Sequence, residues 1–414
     1  MATARWGAGR WGRDTWGRRS YPPGAVWRDQ WRVWYQYGST TYPEWDLTDL
    51  VVEARWSTDG HTMGDGTFRG DLQPGRLALK LIDPTQRATG LDQSGTIWLR
   101  FEPTEATWCF FIHDITSLLA PPGDPARWDV VVTADSWPDR LTTPSYNSLR
   151  PFETVTNRLN AIVTRLGSDT GLILPGVTGA VATDPHYVQA LTQTTGTPSV
   201  FSPPFLDQVR QAAANGVAWL EARSVPTPHT PGTLVLHYDL WGTVTARPLY
   251  EAQVDTDTPW TFGLDHVITQ TVWTGTDNAG TQTTIDQVGS GYGTWGVLKM
   301  GPLRILGDVA FAGAQLAAVT ATGNTILHDH GNPTQLVDQI VVTSGDRSHP
   351  DGTPSTPWDP AANVWTPTDV MQWHRFGAST LETYRVTQTE HRLTATVWES
   401  THHLEMFSSP TALP

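Results

Sequence analysis

Between residues 75 and 141, apolar and polar side chains alternate in four short runs, over about 76–82, 96–101, 107–115 and 128–134. A period of two over such lengths predicts β-strands that turn one face to a core. Asp83-Pro84, Ser94-Gly95 and Pro121-Pro122-Gly123 separate the runs, and each combination favours a turn. Upstream, 30–38 and 50–56 read as the opening strands of the same unit. The Gly- and Asp-rich stretch between 57 and 74 reads as a loop at its edge.

The period changes at Pro151. Phe152, Val155, Leu159, Ile162, Val163 and Leu166 recur at steps of three and four, which predicts a helix over 151–166 with one apolar face. Pro151 suits a first helical position and Gly167 a stop. A second helix is predicted over 203–215, capped by Ser202 and closed by Asn215-Gly216. A Thr-rich loop near 174–197 separates the two, and short strands follow at 217–222, 234–239 and 243–247. From Pro259 the pattern is β again, at 260–262, 267–274 and 281–286. The apolar run 303–319 predicts a buried helix, 336–343 a strand, and 384–407 two strands about a turn at 393–396. Residues 345–368 hold five prolines with Trp358 and Trp365, a loop long enough to be an interaction element.

The predicted fold class is therefore mainly β with an α+β middle: two β-barrel domains flanking a helix-containing insertion. The expected boundaries are 1–27 for an N-terminal arm, 28–143 for the first barrel, 144–250 for the middle and 251–414 for the second barrel.

A chain of 414 residues is too long for one core, in keeping with that division. It has no apolar run of 18 residues, so no transmembrane segment is expected, and its N-terminus lacks the apolar core of a secretory signal. The single Cys109 excludes an intramolecular disulfide framework and any multi-cysteine metal site; within WCFFI it reads as a buried, inert thiol. Only Lys80 and Lys299 among the 27 basic residues are lysines, a usage that points to a GC-rich genome.

The net charge of −14 is unevenly spread. Residues 1–32 hold seven Arg against two Asp, a balance of +5, and the remainder carries −19. A basic arm on an acidic body can dock on an acidic neighbour, on its own body or on nucleic acid. Trp6, Trp11 and Trp16 are spaced five apart, which matches neither helix nor strand and predicts a loop anchored by side chains on a neighbouring subunit or the barrel wall. With Trp358 and Trp365 they form the candidate interface set; no sequence-specific nucleic-acid contact is predicted.

No catalytic, cofactor-binding or metal-ligating set emerges. His328-Asp329-His330 lacks a third ligand at a recognisable spacing, and His402 and His403, adjacent on a strand, face opposite sides. Neither Gly-x-Ser-x-Gly nor a P-loop is present. The competing reading is a host-glycan-binding or glycan-cleaving module that stacks sugars on tryptophan. Trp98, Trp108 and Trp128, however, sit within apolar strands and read as core.

Asp83-Pro84 ending a strand, Ser94-Gly95 leading the next, Phe110–Asp114 as an inner wall and Ala134-Asp135 ending a fourth resemble the first barrel of phage baseplate hub or minor tail proteins. Ser290-Gly291-Tyr292-Gly293 resembles the Ser-x-Tyr-Gly of that family's second barrel. The pair of strands with His391 late in the first and Trp398 opening the second resembles its terminal hairpin. The likeness covers about 28–407, and the arm departs from it. It implies a non-enzymatic structural protein without cofactors, at the distal end of the virion tail. It implies a homotrimeric ring in contact with a distal tail or tail tube protein, a tape measure protein and tip or fibre proteins, helping to guide DNA ejection. Joined to the Arg usage, it points to a phage of actinobacterial hosts.

Overall fold

The computed structural model describes residues 31–37, 45–62, 71–83, 90–93, 95–119, 128–142, 145–146, 150–170, 177–178, 187–188, 201–202, 204–208, 219–223, 233–237, 247–250, 253–254, 261–262, 268–276, 279, 281–289, 304–310, 320, 323–324, 327, 335–337, 339–344, 358, 364–365, 369–374, 382–394 and 397–406. The N-terminal arm with Trp6, Trp11 and Trp16, the motif 290–293 and His328–His330 lie outside them.

The alternating runs form the expected strands: β1 (Trp31–Gln36), β2 (Trp45–Asp46), β3 (Val51–Ser57), β4 (Gly60–Thr62), β5 (Asp71–Gln73), β6 (Arg76–Asp83), β7 (Thr96–Phe101), β8 (Ala106–Leu119) and β9 (Trp128–Ser136). β4 and β5 pair with each other, so the segment expected as a plain loop holds a small hairpin. The large strands run β3-β6-β9-β8-β7-β1-β2 in one antiparallel sheet. Leu77, Leu79 and Leu81 on β6 and Val130, Val132 and Ala134 on β9 point inward and alternate with less buried positions such as Arg76, Lys80, Asp129 and Thr133.

The sheet does not stop at β3. Residues 53–57 pair with 394–390 of the strand Glu382–Thr394, which joins the two ends of the chain. That strand also pairs with Val370–His374 and with Trp398–Met406, and the latter pairs with Gln339–Thr343. Arg247–Tyr250 adds in parallel to Val370–His374, which completes twelve strands. The sheet curls: Trp31 on β1 and Trp56 on β3 are separated by four strands, yet their ring centroids lie 5.2 Å apart. The result is a mainly β half-barrel around one continuous apolar core.

A second sheet is built from Glu153–Thr154, Tyr187–Val188, Arg304–Ala310, Gln270–Thr276 and Gln282–Val288, in that order. The helix expected over 303–319 is overturned in its described part. Residues 304–310 form a strand, paired in parallel along all seven residues with Gln270–Thr276. A mostly apolar run of this length fits a central strand as well as a buried helix, and pairing decides between them.

The first predicted helix also starts later than expected. Pro151 precedes it, Glu153–Thr154 pairs with Tyr187–Val188, and the helix α1 spans Val155–Thr170. Thr154 accepts a hydrogen bond from the Asn157 amide at 3.3 Å, so it caps the helix N-terminus. Val155, Leu159 and Ile162 are buried on the predicted face. Of the second predicted helix, 204–208 is described and carries one helical turn, with the Gln208 amide on Pro204 O at 3.1 Å.

Candidate functional site: the seam of the curled sheet

Two features converge where β3 meets Glu382–Thr394. On the outer face a groove of about 770 Å³ crosses the seam, lined among others by Arg55, Arg76, His113, Asp135, Arg392 and Glu399. On the inner face the same strands close a cage of aromatic rings.

The groove follows from a β-bulge. Ile112 and Asp114 take consecutive partners on β9, so His113 is the extra residue. Ile112 and Ile115 both pack on the core side, and His113 and Asp114 both face out. His113 thereby lies over β9. Its Nδ1 is 2.5 Å from Asp135 Oδ2 and its Nε2 3.1 Å from Thr133 Oγ1. Carboxylate, imidazole and hydroxyl follow one another as in a hydrolytic relay. The hydroxyl, however, belongs to an interior strand whose amides are engaged by β6 and β8, so the strand offers no free N–H to an oxyanion. Arg76, 3.8 Å from Asp135, shares the same carboxylate. Across the seam Arg55 and Arg392 are directly opposite each other and both donate to Glu53 Oε1, at 2.8 and 3.0 Å. Desolvation is the largest single influence on the Glu53 carboxyl and raises it, but the bonds and charges of the two arginines together outweigh it and hold the group below its usual range. The groove is thus a lattice of satisfied ion pairs on an open face.

Beside it, Asp59 follows β3 and accepts hydrogen bonds from the Gly75 amide at 2.7 Å and from Ser136 Oγ. A side chain at 75 would put its Cβ 2.4 Å from Ser57 O, so glycine alone permits this approach. Desolvation outweighs the two bonds and raises the Asp59 carboxyl to about 6. The Cys109 thiol is buried and pushed up by the same cause, as expected of an inert cysteine.

Inside the seam, Trp31, Trp56, Phe101, Trp108 and Trp398 meet, with Trp398 at 4.8 Å from Trp31 and 5.1 Å from Phe101. Trp358 and Trp365 of the long loop are fully buried here. They stack at 6.2 Å, and Trp358 abuts Trp398 at 5.1 Å. Their faces are therefore occupied within the chain. Of the candidate interface set this leaves Trp6, Trp11 and Trp16, outside the described residues. Trp98 and Trp108 are core, as expected, and Trp45 is the exposed tryptophan among those described, at 39%.

His391 and His402 belong to the cage. They lie on the inner face of the terminal hairpin, diagonal to each other, while His403 faces outward, as the alternation predicts. Burial, seconded by the charge of His402, holds His391 well below its usual range; burial, seconded by His403, holds His402 at about 3. Their described neighbours are Trp56, Trp108, Trp398 and Ser400 around His391, and Trp358, Trp365 and Thr389 around His402.

A pH dependence follows. A histidine depressed in the folded chain contributes stability above about 6.5 that is lost as pH falls. Each imidazole kept neutral costs about 2 kcal/mol between pH 7 and pH 5. Asp59 acts oppositely. Raised in the folded chain, it contributes stability fully present below 3.8 and lost as pH rises through about 6, so acidification returns about 1 kcal/mol of it. The expected net loss from pH 7 to pH 5 is about 2–3 kcal/mol in urea unfolding. Asp59→Asn, which keeps the acceptor and removes the titration, makes that loss about 1 kcal/mol steeper. A flat profile would contradict the assignment.

No family model and no curated protein sequence matches this chain. Solved structures do. A tail protein from Neisseria meningitidis MC58 superposes with a TM-score of 0.53 at 10% identity, over 91% of this chain and 96% of its own. The 43 kDa tail protein of prophage MuSo2 from Shewanella oneidensis gives 0.54 at 11%, over 91% and 98%. Prophage tail protein gp18 from Listeria monocytogenes gives 0.52 at 10%, over 91% and 95%. At such identities the likeness is one of fold, and it runs over nearly the whole of each chain.

Proposed function

We propose that this chain is a structural subunit of a phage tail, located in the virion tail. The observation that carries the reading is the end-to-end match to three tail proteins, each covered over at least 95% of its length. In the finer form of the proposal it is a baseplate hub or minor tail protein at the distal end, without a cofactor and without an enzymatic role. Residues 28–143 are the first barrel of the subunit and 251–414 the second, with 144–250 as the middle between them, and the pairing of β3 with 390–394 joins the two. Three copies close into a ring that joins the tail tube to the tip, in contact with distal tail, tape measure and tip or fibre proteins. The basic arm with Trp6, Trp11 and Trp16 docks on the neighbouring copy, and the acidic body keeps DNA from adhering during ejection. The proposed host is an actinobacterium, a reading that rests on the Arg-over-Lys usage alone.

The glycan reading loses support from the burial of the cage tryptophans, whose faces are spent on one another. Light scattering of the purified chain tests the ring: a mass of three 45.6 kDa protomers is expected, and deletion of 1–27 should shift it toward the monomer. A strictly monomeric protein that is also absent from purified tails would sink the proposal.

A further inference from the structure

The polar interior of the aromatic cage is not closed by the protein alone. On the terminal hairpin His391 is paired with Ser400 and Thr389 with His402, four inner-face residues in one two-by-two block. Each imidazole turns its Nδ1 to the hydroxyl across the hairpin, His391 to Ser400 Oγ at 2.7 Å and His402 to Thr389 Oγ1 at 3.2 Å. Both Nε2 atoms are buried and meet no hydrogen-bonding partner among the described residues. The indole nitrogens of Trp56 and Trp365, whose rings pack on His391 and His402 at 4.7 and 5.1 Å, share that condition.

The partners on the Nδ1 side fix the proton on each ring. Trp398 Nε1, which can only donate, points at His391 Nδ1 from 3.3 Å. His391 Nδ1 therefore accepts, and its proton sits on Nε2. Thr389 Oγ1 donates its one proton to the Trp365 carbonyl at 3.3 Å. The proton shared with His402 must then come from the ring, which leaves His402 Nε2 as an acceptor. One ring thus offers a donor to the core and the other an acceptor, but they cannot reach each other. Their centroids are 6.5 Å apart. With a ring radius of about 1.2 Å, a direct N–H···N bond of at most about 3.5 Å needs centroids within roughly 5.9 Å.

We propose that the seam contains a binding site for an internal water molecule, which accepts from His391 Nε2–H and donates to His402 Nε2. Water suits the set because it has both kinds of hydrogen-bonding capacity and no charge, and buried polar atoms left by the protein are commonly satisfied in this way. A cation would face the N–H groups of His391, Trp56 and Trp365 with a single lone pair to hold it. An anion would leave that lone pair, on His402, opposed. The bridge ties the two rungs of the hairpin together beneath β3 and gives the two imidazoles a reason to occupy an otherwise aromatic core.

A crystal structure of the full chain at high resolution tests this directly. One density peak is expected within about 2.7–3.2 Å of both Nε2 atoms. No peak there, or a peak in contact with one imidazole only, overturns the proposal. Anomalous scattering from that peak at the zinc or copper edge would replace it with a metal site. Nitrogen-15 spectra of histidine-labelled protein give an independent reading: His391 protonated on Nε2, His402 on Nδ1, and a cross-peak from the His391 Nε2 proton to water. Both rings in the same tautomer, or loss of the cross-peak, counts against the bridge. In His402→Phe, checked for folding by circular dichroism, that cross-peak should disappear; its persistence there would show that His402 takes no part.

Discussion

Replacing Trp398 with alanine is expected to lower the stability of the chain by about 3–5 kcal/mol, among the largest effects of any single side chain here. Trp398 is fully buried and packs edge-on against Trp31, Phe101 and Trp358. These rings belong to β1, to β7 and to the loop after Gln339–Thr343, so one indole joins three parts of the sheet that lie far apart in sequence. Its main chain is held separately: the amide donates to Ser344 Oγ at 3.0 Å, and the carbonyl accepts from the Ser344 amide at 2.9 Å. Truncation therefore removes the ring without unpicking the strand, and the surrounding rings are too rigid to collapse into the space. In urea unfolding the midpoint should fall with an unchanged slope. Trp45→Ala, at a tryptophan 39% exposed that packs on Tyr35 at 5.5 Å, is the comparison and should cost clearly less, about 1 kcal/mol. Equal losses at both positions would show that the cage is not the keystone of the seam.

The cage was only partly legible in the sequence. The strands were, because Leu77, Leu79 and Leu81 announce a half-buried strand whatever it pairs with. The hairpin was legible but its register was not: a turn at 393–396 would set His391 opposite Trp398, whereas the turn closes between Thr394 and Val397 and sets His391 opposite Ser400 and Thr389 opposite His402. What local pattern does not encode is the partner. Nothing in 53–57 marks it for 390–394, and that pairing turns two predicted units into one curled sheet. The bulge at His113 is visible in hindsight as a slip in the alternation of FIHDI, in which two outward residues separate two inward isoleucines. The length of the loop 345–368 points to an interaction element and so to Trp358 and Trp365 as interface residues. A Pro-rich loop can equally drop its large side chains into a core its strands leave open, and this one does. The run 304–310 shows the converse limit, since Arg304 and Asp308 four apart fit a helix face and a strand face equally well, and only the pairing tells them apart.

Glu153→Ala is expected to cost about 3–5 kcal/mol, for an electrostatic reason rather than a packing one. Glu153 stands at the entry to α1, and one of its carboxylate oxygens accepts from Arg150 Nε at 2.8 Å and from Arg158 Nε at 2.7 Å. Arg158 is completely buried; Arg150 keeps 29% of its side chain exposed. Removal of the carboxylate lets Arg150 turn to water but takes from the buried Arg158 guanidinium the carboxylate bonded to it at 2.7 Å. Arg158 also donates a hydrogen bond to the Pro151 carbonyl at 3.2 Å. Burial already pulls the Arg158 pKa down, and Glu153 is what opposes that pull. The measurement that separates charge from packing is a double-mutant cycle. Arg158→Met alone leaves Glu153 with Arg150 and should cost less than Glu153→Leu, the other single variant of the cycle, because a partly exposed pair remains. Glu153→Leu combined with Arg158→Met should recover to within about 1 kcal/mol of the parent, since an apolar pair of similar volume replaces a buried ion pair at little cost. If the double variant instead loses the sum of the two single losses, the pair contributes through shape alone and the buried charge is not the cause.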